Sequence, residues 1–150
     1  MLGYVAAGVG ILMAGKVIWM IDDWGRDFIS NHAELSATNP DKTLRPILTQ
    51  HSVSEVETAV ERWVDSQSTW AIHADSATTA PENSLGQLHL TRTTPVLRFV
   101  DDIEVRIAKQ SNPQQTVLTA QSQSRIGKGD LGQNPRNLRI LRKGVLEELK

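Results

Sequence analysis

Apolar residues follow three regimes along this chain: an unbroken run at the start, helical spacing in two segments, and alternation between them. Residues 2–21, LGYVAAGVGILMAGKVIWMI, hold one charge, Lys16, and no proline. At a helical rise of 1.5 Å per residue such a run is about 30 Å long, the thickness of a bilayer core. Tyr4 lies near one end, with Trp19 and Trp24 near the other, as aromatic residues do at water interfaces. Lys16 is five residues from Ile21, close enough for its stem to reach headgroups. Residues 1–21 therefore read as a transmembrane anchor. A cleaved signal peptide would need a charged start and a small-x-small site after the run. Met20-Ile21-Asp22-Asp23-Trp24 offers no such site, which favours an uncleaved anchor.

Residues 22–43 are polar and irregular and read as a linker, with a short helix expected around Trp24–Ala33 and a turn at Asn39-Pro40-Asp41. Leu44–Thr49 reads as a first strand. Ser52 and Glu55 form a capping box, and Val53, Val56, Val60, Trp63 and Val64 follow at helical spacing, predicting a helix over 53–66. Strands follow at Trp70–Ala74, Leu85–Thr94, Phe99–Lys109 and Thr116–Ile126, with turns at 78–84 and 111–113. Asn134-Pro135 opens a last helix, Asn as N-cap and Pro at the first helical position, with Leu138, Leu141, Val145 and Leu149 on one stripe. The short connections require antiparallel pairing. The fold class is α+β: residues 44–150 run strand, helix, strands, helix, with two helices packed on one face of an antiparallel sheet.

Composition narrows the function classes. Lys and Arg number 16 against 17 Asp and Glu, for a net charge of -1, which argues against nucleic-acid binding by bulk electrostatics. Cysteine is absent, which excludes disulfides, Cys-ligated zinc and a thiol nucleophile. Residues 120–150 are locally basic, with seven Lys or Arg against three Asp or Glu. Such a segment serves as a solvated helix face or as a patch for anionic headgroups.

Gly127-Lys128-Gly129-Asp130-Leu131-Gly132 spells G-x-G-x-x-G between a strand and a helix. A dinucleotide site would need a parallel strand after that helix, and the sequence ends with the helix. The glycines are better read as permitting a tight strand-to-helix crossing with positive φ. A narrower anion site remains, because Arg125, Lys128 and Arg136 surround a helix N-terminus. Asp101 shares a strand face with Ile103, Val105 and Ile107 and needs a partner, with Arg98, Arg125 and Arg136 as candidates. Asp102 points to the opposite face, so the two carboxylates are not a catalytic pair. His32, His51, His73 and His89 show no metal spacing, and no G-x-S-x-G elbow is present.

Arg98-Phe99-Val100-Asp101-Asp102, together with Arg125-Ile126-Gly127-Lys128-Gly129-Asp130-Leu131-Gly132-Gln133-Asn134, resembles domain of unknown function family 1499 over about Leu44–Glu148. The R-x-G-x-x-D-L-G-x-N pattern is specific. The anchor with Asp22-Asp23-Trp24-Gly25-Arg26-Asp27 is similar to members from oxygenic photosynthetic bacteria. Many members carry an N-terminal Cys-containing stretch that this chain lacks, so any role of that stretch does not transfer. The resemblance implies a photosynthetic (thylakoid) or plasma membrane and no chemistry. Asp101, Asp102, Arg125, Asp130 and Asn134 match its pattern and read as a structural polar pin between the central strand and the last crossing.

The expected function is that of a non-catalytic accessory or assembly protein bound to a membrane complex, a photosynthetic one among the candidates. Gly3, Ala6, Ala7, Gly10 and Ala14 form small-residue helix faces that suit a transmembrane partner, and Trp24 adjoins them. The alternative is a lipid- or hydrophobic-ligand-binding domain in which the sheet grips the last helix. No cofactor, metal, nucleic acid or dinucleotide is expected, and an enzyme stands third.

Overall fold

The computed structural model describes residues 30–73, 86–95, 98–110 and 115–150. The expected anchor at 1–21 with its small-residue faces, Trp24, and the turns at 78–84 and 111–113 lie outside the described residues. Among those described, no helix is long and apolar enough to cross a membrane.

The elements run β1 (His32–Glu34), a single 3-10 turn (Lys42–Leu44), β2 (Ile47–Thr49), α1 (Val53–Asp65), β3 (Trp70–Ile72), β4 (Gly86–Thr93), β5 (Val100–Lys109), β6 (Thr116–Ser124) and α2 (Gln133–Glu148). Every pairing is antiparallel, in the order β1-β6-β5-β4-β3, with β2 also on β6. This is the expected small α+β domain with an antiparallel sheet and two helices. Alternation on β5 sends Asp101, Ile103, Val105 and Ile107 to the helix side, where each is 0–1% exposed. Leu88 and Leu90 of β4, and Leu118, Ala120, Ser122 and Ser124 of β6, share that side.

The α1 capping box is present. The Glu55 amide donates to Ser52 Oγ (3.3 Å) and the Ser52 amide to Glu55 Oε2 (2.7 Å). Val56, Ala59, Val60, Trp63 and Val64 form its buried stripe. Trp63 meets Trp70 edge-on with ring centroids 4.8 Å apart, which locks the helix to the β3 edge. Leu138, Leu141 and Val145 of α2 complete the core.

Three expectations need correction. Residues 22–43 are not all linker, and the short helix around Trp24–Ala33 does not include His32 and Ala33. These two are extended in β1, opposite Gln123 and Ser122. Asn31 sets that register: its Nδ2 donates to the Ser124 and Gly127 carbonyls (2.9 and 2.8 Å), and its Oδ1 accepts from the Ser124 amide (3.1 Å). Three residues are too few to show a period in the sequence. β1 and β2 together cover the outer edge of β6, which would otherwise present unpaired backbone groups.

The strand expected over Leu44–Thr49 begins at Ile47. Asp41 Oδ1 accepts from the Thr43 amide (2.8 Å) and winds Lys42–Leu44 into the 3-10 turn. Finally, Asn134 is not the N-cap of the last helix, nor Pro135 its first residue. The helix starts at Gln133, and Gly132 takes the cap position at φ +75°. Asp130 does the capping, accepting from the Gly132 and Asn134 amides (2.9 and 2.7 Å). Pro135 still lies in the first turn, where a missing N–H costs no helical bond.

Gly144 of α2 packs directly against Trp63 of α1. A Cβ there would lie 1.9 Å from Trp63 Nε1. Gly144→Ala should therefore destabilise by about 2 kcal/mol through overpacking, against the gain of about 1 kcal/mol that Ala brings to an exposed helix site. A thermal melt checks the sign.

Candidate functional site

The apolar core gives way to polar side chains where β5 and β6 run under the start of α2. Asp101, Ser122, Ser124, Asn134 and Asn137 are buried together there. Ser124 Oγ donates to Asp101 Oδ1 (2.5 Å), and Asn137 Nδ2 donates to Asp101 Oδ2 (2.9 Å). Ser122 Oγ donates to Asn134 Oδ1 (2.7 Å), and Asn137 Nδ2 also reaches Ser122 Oγ (3.2 Å). Asn137 Oδ1 accepts from Gln133 Nε2 (2.8 Å) and from Arg92 Nη1. Arg92 lies opposite Asp101 in the β4–β5 register, and its guanidinium sits 5.9 Å from the Trp70 ring centroid. Burial lowers the pKa of Arg92, the Asp101 charge raises it, and Arg136 lowers it further. Arg92 Nε is buried without a hydrogen-bond partner.

The partners of Asp101 differ from the candidates the sequence offered. Its hydrogen bonds come from Ser124 and Asn137, and Arg92 is the cation opposite it; neither Arg98 nor Arg125 supplies those bonds. Asn137 and Arg92 escaped the sequence reading because an Asn on the buried stripe and an Arg in a strand carry no motif. The inward alternation of Asp101, Ser122 and Ser124 was the available signal. Chemically, the Ser124 hydroxyl is donated to a buried carboxylate, the Asn137 amide donates to that carboxylate and to Ser122, and the Asn134 amide bonds the two serines. The arrangement clamps two strands to a helix.

A second cluster lies on the opposite face of the sheet. Asp102 accepts from Arg125 through Nε (2.7 Å) and Nη2 (2.8 Å), and pairs with His89 Nε2 (2.9 Å). The His73 ring stacks on His89 with centroids 4.8 Å apart. The Arg125 hydrogen bond, with smaller help from His89, holds the Asp102 carboxyl below the usual carboxylate range. Beside it, Glu104 accepts from Gln121 Nε2 (2.7 Å) and Arg106 Nη2 (3.4 Å). His89, read from the sequence as simply exposed, is half-buried and engaged.

The five residues expected as one polar pin thus divide. Asp101 and Asn134 belong to the buried cluster, Asp102 and Arg125 to the outer face, and Asp130 to the helix cap. The candidate anion-binding residues are likewise separated by their bonds. Arg125 grips Asp102, Arg136 Nη2 donates to the Leu131 carbonyl (2.7 Å), and Lys128 is exposed. The helix N-terminus already holds an anion, the Asp130 carboxylate. Gly127 and Gly132 of the glycine-rich stretch take positive φ, and among the described residues the strands pair antiparallel and supply no βαβ unit. Among the described residues, no group of three or more His, Asp or Glu is placed to hold a metal ion. The candidate partner-binding residues Gly3, Ala6, Ala7, Gly10, Ala14 and Trp24 lie outside the described residues.

Comparison with known proteins gives one assignment. The family model described as protein of unknown function (DUF1499) matches residues 27–145, and the chain belongs to that family. No curated protein matches the chain, and no solved structure does. The match begins ahead of β1, in agreement with the strand that the linker reading missed.

Asn137→Ala should destabilise by about 3 kcal/mol, because it strips donors and an acceptor from a buried charge network; urea titration measures it. For Asp102 the depressed folded pKa means that its contribution is present above the unfolded value, about 3.9. It is lost as the pH falls through the folded value. Asp102→Asn should therefore lower the urea midpoint at pH 7, and the difference from the parent protein should vanish in acid.

Proposed function

We propose that this member of the DUF1499 family is a membrane-anchored, non-catalytic accessory or assembly protein that holds its α+β domain against a membrane protein complex. The observation that carries the reading is the contrast between the two sheet faces. The inner face is consumed by packing under both helices. The outer face of β4–β6 presents Gln87, His89, Asp102, Glu104, Arg106, Thr119, Gln121 and Gln123, several of them tied to one another. A polar face whose side chains are already held loses little entropy when a partner docks. The apolar run at 2–21 supplies the anchor, and its small-residue faces suit a transmembrane partner.

The lipid-carrier reading has less support. A carrier needs an apolar cavity of several hundred Å³. The space between sheet and α2 is filled by Leu90, Ile103, Leu118, Leu138 and Leu141, all 0% exposed, and by the hydrogen-bonded polar cluster. An open groove of about 320 Å³ beside α1 and the end of α2 is lined by His51, Ser54, Glu55, Thr58, Arg62, Glu148, Leu149 and Lys150, in which Leu149 is the one aliphatic side chain.

The test is a C-terminally tagged full chain, solubilised from membranes in mild detergent and run on a native gel. The expected result is migration with a large complex whose mass spectrum names the partner. Gly10→Leu with Ala14→Leu, or Arg106→Glu on the outer face, should release the chain from that band while the domain keeps its melting temperature. A chain that migrates alone in every preparation overturns the proposal.

A further inference from the structure

One end of the sheet gathers exposed apolar and basic side chains, with Asp102 held by one of them, Arg125. The Arg125 amide donates to the Val100 carbonyl (3.1 Å), one step beyond the β5–β6 ladder. The next residues outward on the two strands are Phe99, 45% exposed, and Ile126, 70% exposed. Arg98, Arg125 and Lys128 flank them, all exposed. Arg98 holds φ +55°, a left-handed conformation that costs a non-glycine residue about 1–2 kcal/mol. It is held there by its amide, which donates to the Thr94 carbonyl (3.1 Å), and by the Phe99 amide, which donates to Thr94 Oγ1 (2.9 Å). The carboxylates near them along the chain are engaged within the domain: Asp101 with Ser124 and Asn137, Asp102 with Arg125 and His89, and Asp130 with the helix cap.

The chain enters the domain at this same end. Asn31 is bonded to the Ser124 backbone and to the Gly127 carbonyl, inside the basic loop. The apolar run ends at Ile21, nine residues before Ser30. Fully extended, nine residues span about 30 Å, less than the length of a ten-residue strand with its loops. The tether therefore ends at the apolar–basic pole and not at the opposite end, where Leu48 pairs with Val117.

We propose that this pole rests on the membrane that holds the anchor, with Phe99 and Ile126 sunk among the headgroups of anionic lipid and Arg98 and Lys128 on their phosphates. The inference rests on the anchor reading above and adds which surface of the domain meets the bilayer. An aromatic and an aliphatic residue ringed by basic side chains is the composition that anionic interfaces bind. Charge complementarity and the short tether favour lipid over a protein partner at this spot. Arg125 keeps its Asp102 bond and acts as a support for the loop. The outer sheet face is then left clear for the complex.

The chain has no cysteine, so one introduced thiol carries a single fluorescent label. Full-length Ile126→Cys and Leu48→Cys, each labelled with an environment-sensitive dye, are reconstituted into vesicles of phosphatidylcholine with phosphatidylglycerol. The expected result is that the label at 126 is shielded from aqueous iodide and quenched by spin-labelled lipid. The label at 48, about 30 Å away along the sheet, should behave oppositely. Each basic residue at an anionic surface raises residence about fivefold, so Arg98→Gln with Lys128→Gln should cut the membrane-bound population of the pole about 25-fold. A label at 126 open to iodide and untouched by the lipid quencher overturns the proposal. So does one shielded from iodide without lipid quenching, which would mean that a second copy of the chain covers the pole. Alkaline carbonate extraction reads the anchor separately: a chain that stays in the vesicles with its pole in water loses this inference and keeps the anchor.

Discussion

Asp101 is a carboxylate at 1% exposure on the inner face of the central strand, and the rest of the domain is arranged around keeping it satisfied. A buried carboxylate without donors costs several kcal/mol. Its donors come from a neighbouring strand, through Ser124, and from the last helix, through Asn137. The start of α2 must therefore fall over that end of the sheet. The crossing that brings it there is short and needs positive φ at Gly127 and Gly132. It also needs a cap that does not consume a buried amide. Asp130 supplies the cap, and Asn134 is left to bind Ser122 inside. Pattern residues that look like a nucleotide loop are thus explained by one buried charge and the turn that serves it.

The adjacent carboxylate extends the constraint through the sheet. Asp101 and Asp102 are consecutive on a strand and so face opposite ways. The first is held by the helix side, the second by Arg125 and His89 on the outer side. Arg125 immediately follows Ser124, the partner of Asp101, so a shift of β6 by one residue would misplace both sets of bonds at once. The two clusters are chemically separate, yet they specify the same register.

Where periodicity was long, the sequence was legible. The α1 stripe with its capping box, the alternation on β5 and β6, the inward placement of Asp101 and the structural role of the glycines could all be read from residue order. Short or non-local features could not. β1 has three residues and is defined by what Asn31 grasps some ninety positions away. Asn134 reads as the N-cap because an Asn before a Pro fits that position, whereas the fold buries its side chain against Ser122 and leaves the capping to Asp130. The partners of Asp101 were misjudged because charge rules point to arginines, whereas the fold uses a serine and an asparagine beside a single guanidinium. Arg125 was assigned to the correct strand end and the wrong carboxylate, a difference of one alternation.

The inner face changes character along its length. Ile107, Leu118 and Val105 give way to Ala120, Ser122, Ser124 and Asp101 toward the end where the chain enters and where Phe99 and Ile126 are exposed. Apolar packing draws its strength from the removal of surface from water, and that drive fades where the surroundings are themselves apolar. Hydrogen bonds within a buried network do not fade in the same way, since low dielectric strengthens them. A domain whose pole rests on lipid is better held at that pole by a satisfied polar lattice than by a greasy core. Such a core could exchange its contacts for acyl chains. On the proposed docking, the placement of polar side chains inside the fold and of apolar side chains outside it at the same end would answer one physical requirement, that the geometry survive contact with the membrane.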